Sequence, residues 1–170
     1  MKPSFAPTAL LAATLLLALP LAAGAKDKPK EPDNRPVLHV SVVESVSAPG
    51  NAFTDFDRFD LGLQRAAAQR KWPVRIAAER LAGNTPDHAT ELRVTLQRVR
   101  REPIEDYIFR AWVILVIDGR KQDFGIVTYH YSARMGQNPD DIYQDVFRGG
   151  AAAIADKVEP VLFPELKAKK

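Results

Sequence analysis

The sequence predicts an α+β domain: a mostly antiparallel five-stranded sheet in the order β-α-β-β-β-β-α, with two helices packed on one face. Three observations lead there. Two segments carry apolar side chains at helical spacing. Five others are rich in β-branched or aromatic residues with alternation. Four of those five follow one another from about residue 74 to residue 132 with no helical segment between them.

Before the domain stands an address. Residues 1–25 hold one positive charge at Lys2, an apolar run from Ala9 to Leu19, a break at Pro20, and small residues at Ala23 and Ala25. That is the pattern of a secretory signal, with cleavage expected after Ala25. The run is shorter than the roughly 20 residues that span a bilayer, so no transmembrane anchor is expected in the mature chain. No cysteine stands at the cleavage site to carry a lipid. The expected location is therefore periplasmic or secreted. Residues 26–36 (KDKPKEPDNRP) lack any large apolar side chain and read as a disordered tether. The single domain is expected over 37–166, with a basic tail at 167–170.

Val37 to Val46 reads as a strand whose Leu38, Val40 and Val42 share a face. SAPGN then turns the chain. Thr54 is the expected cap of the first helix, Asp55 and Asp57 suit its positive end, and Phe56, Phe59, Leu63, Ala66 and Ala67 form its apolar stripe. Pro73 closes it. Residues 74–81 read as a short edge strand. In 91–99, Leu92, Val94 and Leu96 alternate with Glu91, Arg93 and Thr95, giving one core face and one wet face. Tyr107–Asp118 and Gln122–Ser132 form a hairpin around Gly119. Asn138-Pro139-Asp140-Asp141 starts the last helix, which Pro160 is expected to stop. The Gly149-Gly150 pair within it is expected to permit close helix–sheet packing.

With the hairpin closed around Gly119 and Arg120, Leu115 is expected opposite Phe124 and Val113 opposite Ile126, beneath the helices; a turn at Asp118-Gly119 would change the partners but keep every side chain on its face. Trp112, Arg110, Tyr129 and Tyr131 then share the other face, which two helices cannot cover. An apolar, aromatic patch there has three readings. It is covered by the chain itself, by a protein partner or second copy, or by a lipid or other ligand. Arg110 opposite Tyr129 would add a cation–π contact.

The chemistry excluded is as informative. Zero cysteines remove thiolate nucleophiles, disulfides and cysteine-ligated metals. Without Lys2, 23 basic residues face 21 acidic ones, a balance that argues against nucleic-acid binding. His39, His88 and His130 lack ligand spacing, so no metal or cofactor is expected. Ser132 beside His130 has no nucleophile elbow around it. Arg93, Arg98 and Arg100 are candidate anion contacts. The reading is a noncatalytic exported accessory protein that docks on an envelope complex through the aromatic face. The alternatives are a binder of an anionic lipid or glycan and an uncharacterised hydrolase.

The export signal, the Pro-rich tether and one β-α-β-β-β-β-α unit without an active-site motif resemble the small α+β accessory domains of the bacterial envelope. The N-terminal domain of TolB and the auxiliary lipoproteins of envelope assembly and transport are the types. The resemblance is architectural, covers residues 37–166 and implies a noncatalytic scaffold. Mass spectrometry of the exported chain should find its N-terminus at Lys26 or within a few residues of it. An exported fraction that retains Met1 would overturn the signal assignment.

Overall fold

The computed structural model describes residues 34–44, 52–81, 88–103 and 106–167. The export segment, the tether up to residue 33 and tail residues 168–170 lie outside them. The elements are β1 (Val37–Glu44), α1 (Ala52–Gln69), β2 (Arg75–Arg80), β3 (Thr90–Leu96), β4 (Arg100–Glu102), β5 (Asp106–Ile117), β6 (Arg120–Ser132), α2 (Pro139–Leu162) and α3 (Pro164–Lys167). This is the predicted α+β class. Six strands rather than five appear because the expected strand 91–99 breaks after Leu96 and pairing resumes at Arg100. β6 occupies one edge of β5 along its whole length. β3 and β4 share the other edge, β3 along Ala111–Ile117 and β4 along Asp106–Ile108.

These three pairings with β5 are antiparallel, whereas β1 pairs in parallel with both β2 and β3. The parallel β1–β2 pair follows from α1, which carries the chain back to the start of the sheet as a β-α-β crossover. β2 lies at the edge, as its short, proline-flanked sequence predicts. The core is built in rows across the strands: Val40–Leu92–Leu115 and Val42–Val94–Val113 are aligned in register and fully buried. Phe59 and Leu63 of α1 and Val146, Phe147 and Ile154 of α2 are buried with them. Leu115 and Val113 are thus core, as expected, but their partners differ.

The hairpin turns on Asp118 and Gly119, both left-handed (φ 48° and 76°), the combination that a two-residue type I′ turn requires. Between the pairs Val113–Gly125 and Ile114–Asp123 the register shifts by one, leaving Phe124 as an extra residue in β6. Gly125 adopts φ 68°, and its N–H donates to Asp123 Oδ1 at 2.7 Å. This β-bulge reverses the parity of everything after it. Leu115 faces Gln122 because the turn sits on Asp118-Gly119; beyond the bulge Val113 faces Gly125, and Tyr129 and Tyr131 turn to the helix side, opposite Phe109 and Tyr107.

Two helix boundaries also differ from expectation. α1 begins at Ala52, which places Thr54 inside the first turn rather than at the cap. α2 is capped as predicted, with Asn138 accepting from Asp140 N at 3.0 Å and Pro139 at the first position. It continues past Pro160 to Leu162. A proline so near the end removes only one helical hydrogen bond, and packing of Val161, Leu162 and Phe163 on the core holds the last turn.

α2 lies very close to the sheet. A Cβ on Gly150 would meet the Phe109 ring at 2.4 Å, and one on Gly149 the Tyr129 ring at 2.1 Å. Gly150→Ala should therefore destabilise the fold by about 1–3 kcal/mol, although alanine favours helix. Phe109 is fully buried and has nowhere to move. Gly149→Ala should cost less, because the tip of Tyr129 lies in an edge strand and can swing. Urea denaturation compares the two, and a Gly150→Ala midpoint at or above that of the parent chain would contradict the packing argument.

Candidate functional site

The face of the sheet away from α1 and α2 divides into a buried polar end and an exposed apolar row. At the polar end, Ser41 and Glu91 are buried charged or polar residues within the sheet. The Glu91 carboxylate accepts from Ser41 Oγ at Oε1 and from Arg93 Nε and Nη2 at Oε2, 3.0 and 2.9 Å. Burying a carboxylate demands this kind of saturation, because an unpaired charge loses far more hydration than a lone contact returns. His39 lies beside Glu91 in register, and its ring stacks on that of His88 with centroids 3.6 Å apart. His88 leads into β3, so the described end of the β2–β3 connection lies on this face.

The next row along the strands but one is different in kind. Val43, Thr95, Trp112 and Ile126 stand side by side across β1, β3, β5 and β6. Val43 is 38% exposed, Trp112 42% and Ile126 51%. These are three of the five exposed large apolar side chains among the described residues, aligned in one row on one face. Arg110 lies one step further along β5, opposite Thr128, and Arg100 of β4 is opposite Ile108 on the same face. Neither arginine forms an ion pair among the described residues.

The predicted set is therefore split. Arg110 and Trp112 are on the open face as expected. Tyr129 and Tyr131 are not, because the bulge turns them towards α2; the Arg110–Tyr129 contact is replaced by Arg110–Thr128. The Tyr131 hydroxyl donates to Asp145 Oδ2 at 2.9 Å and accepts from Gln137 Nε2 at 2.8 Å. The Gln137 bond pulls the phenol pKa down, but desolvation and the Asp145 carboxylate outweigh it and hold it above its ordinary value. Tyr131 is thus a neutral donor that ties β6 to α2. Of the expected anion contacts, Arg93 is occupied by Glu91. Arg98 and Arg100 line an open recess of about 400 Å³ beside Arg101, Glu102 and Tyr143, and both are exposed. Val43 and Ile126 were not among the expected site residues. Gly125 inside an alternating strand was the sequence signal for the bulge that brings Ile126 beside Trp112.

Among the described residues, no three His, Asp or Glu side chains gather as a metal site needs, and no helix is long and apolar enough to cross a membrane.

No family model and no curated protein matches the sequence. Solved structures do. The PelC dodecamer from Paraburkholderia phytofirmans is 10% identical over 74% of this chain and 91% of that one, with a TM-score of 0.43. The minor lipoprotein from Acinetobacter baumannii is 9% identical over 75% and 95%, with a TM-score of 0.35. Rare lipoprotein B from Shewanella oneidensis is 9% identical over 78% and 99%, with a TM-score of 0.33. These neighbours are bacterial proteins, two of them described as lipoproteins; none of the three is the TolB N-terminal domain.

The buried carboxylate gives a direct test. Arg93→Ala leaves Glu91 charged and under-paired and should cost on the order of 3 kcal/mol. The same change in the Glu91→Gln background should cost much less, since no charge is then stranded. Equal costs in the two backgrounds, read from chemical denaturation, would mean that the pair is not what Arg93 contributes.

Proposed function

We propose that the chain is an exported, noncatalytic interaction protein of the bacterial envelope, docking on a protein partner through the open face of its sheet. The observation that carries this reading is the exposed row Val43–Thr95–Trp112–Ile126 on the face that neither α1 nor α2 covers. Tryptophan and arginine are the side chains most often found at the energetic centre of protein interfaces. Here Trp112 is flanked by Arg110, with Arg100 nearby. Both guanidinium groups lack an acidic partner within the described residues, so the complementary surface carries apolar groups for the row and carboxylates for the arginines.

The export pattern at the N-terminus supports the compartment, and the absence of any nucleophile or ligand motif supports a noncatalytic role. Accessory docking of the kind that the TolB resemblance implies belongs to this same reading.

Pull-down from an envelope extract with the mature chain as bait tests it. Trp112→Ala and Ile126→Asp should each reduce recovery of a defined partner at least about tenfold, the effect expected of an interface centre. Thermal denaturation should stay near that of the parent chain, because both side chains are already exposed. A mass by light scattering that rises with concentration and falls to monomer in Trp112→Ala would identify the partner as a second copy. Unchanged recovery and unchanged mass in both variants would overturn the docking surface.

A further inference from the structure

A second surface, remote from the open face, has the makings of a small-molecule site. Where α1 ends and β2 begins there is a groove of about 360 Å³. Its apolar floor is formed by Ala67, Trp72, Val74 and Ile76, and three cations border it: Arg35, Lys71 and Arg75. Among the described residues, no acidic side chain lines it. The nearby acids are engaged elsewhere: Arg70 pairs with Asp156 at 2.6 Å and with Glu159 at 3.4 Å, and Glu159 also accepts from the Trp72 indole at 3.1 Å. The negative pole of α1 is likewise occupied. The carbonyls of Ala66, Ala67 and Ala68 accept from Arg70, Trp72 and Lys71 at 3.0–3.1 Å. Lys71 and Arg75 form no ion pair among the described residues.

Lys71 supplies a second observation. It holds φ 55°, in the left-handed position that ends a helix and that glycine fills at least cost. A lysine there trades backbone ease for an ammonium group at the mouth of the groove. The favourable interaction of a cation with a helix C-terminus is small at an exposed site.

We propose that this groove binds a small amphipathic anion: a carboxylate or phosphate head held by Lys71 and Arg75, with a short apolar chain lying over Trp72 and Ile76. A few hundred Å³ suits a ligand of that size, and apolar lining with a few convergent polar groups is the usual make-up of such sites. Arginine and lysine both bind either head group, so the head is assigned by experiment.

The chain has two tryptophans, and Trp112→Phe leaves Trp72 as the single fluorescent reporter, in the groove itself. In the mature chain carrying that change, octanoate or monooctyl phosphate should alter Trp72 emission saturably, and the tighter of the two identifies the head group. Octan-1-ol, which lacks the charge, should bind at least about tenfold more weakly. Lys71→Gly should weaken binding about tenfold while the melting temperature holds or rises, since glycine relieves the left-handed residue. Arg75→Gln should weaken it similarly. Any of three results would overturn the proposal: no saturable change with either anion, octanol binding as well as the anions, or Lys71→Gly binding undiminished. A Lys71→Gly chain that melts lower than its parent would overturn the argument from strain.

Discussion

Phe109 and Tyr129 sit opposite each other across β5 and β6, and Gly149 and Gly150 of α2 lie against the two rings. This contact sets how near α2 comes to the sheet. Two consecutive glycines in a helix interior are costly in conformational entropy, by roughly 0.5–1 kcal/mol each relative to alanine. They are tolerated because the rings gain close packing that no Cβ would allow. The contact also requires Tyr129 to be on the helix side, and only the bulge at Phe124 puts it there. Without the extra residue the alternation of β6 would aim Tyr129 at the open face and leave Gly149 over a gap. Bulge, ring pair and glycine pair are one device, and the Tyr131–Asp145 hydrogen bond fastens its far end.

The same bulge composes the opposite face. It moves Ile126 beside Trp112 and Thr128 beside Arg110, so the row of exposed apolar side chains is a by-product of the parity that buries the tyrosines. At the other end of that face the chain solves a different problem. A buried carboxylate in a sheet is weak evidence for stability, because its desolvation offsets much of what its partners return. What Glu91 does fix is geometry. The bond from Ser41 on β1 to Glu91 on β3 ties these parallel strands in a single register, and Arg93, two residues along β3, holds the other oxygen of the same carboxylate in place.

Much of this was legible in the sequence. The alternation of Leu92, Val94 and Leu96 identified the core face of β3, because period two leaves little choice when one side is buried. Asn138-Pro139 locates the start of α2 through capping chemistry, and the glycine pair marks the close approach of α2 to the sheet. What failed was parity. A hairpin register can be counted outward from its turn only while each residue opposes one partner, and Asp123-Phe124-Gly125 breaks that count. An Asp that accepts from the backbone two residues on, beside a strand glycine, is the local signature of the break. The Glu91–Arg93 pair was visible as alternation on the wet face, but its burial was not, since that depends on which strands flank it. Pro160 misled for the opposite reason: local propensity said stop, and packing of the final turn overrode it.

The parallel crossover is the one feature of topology that no local pattern announces, and it creates the groove at the end of α1. Returning the chain from α1 to run beside β1 brings Arg75 next to Val37, so the approach to β1 at Arg35, the helix end at Lys71 and the start of β2 at Arg75 converge from three places in the sequence. In an antiparallel arrangement β2 would begin at the opposite end of the sheet, about 20 Å away for a six-residue strand, and the three cations would not meet. The groove and the open face therefore have separate origins, one in the crossover and one in the bulge. A change at Trp112 has no structural route to Lys71 through the exposed row, so the two surfaces can be altered independently of each other.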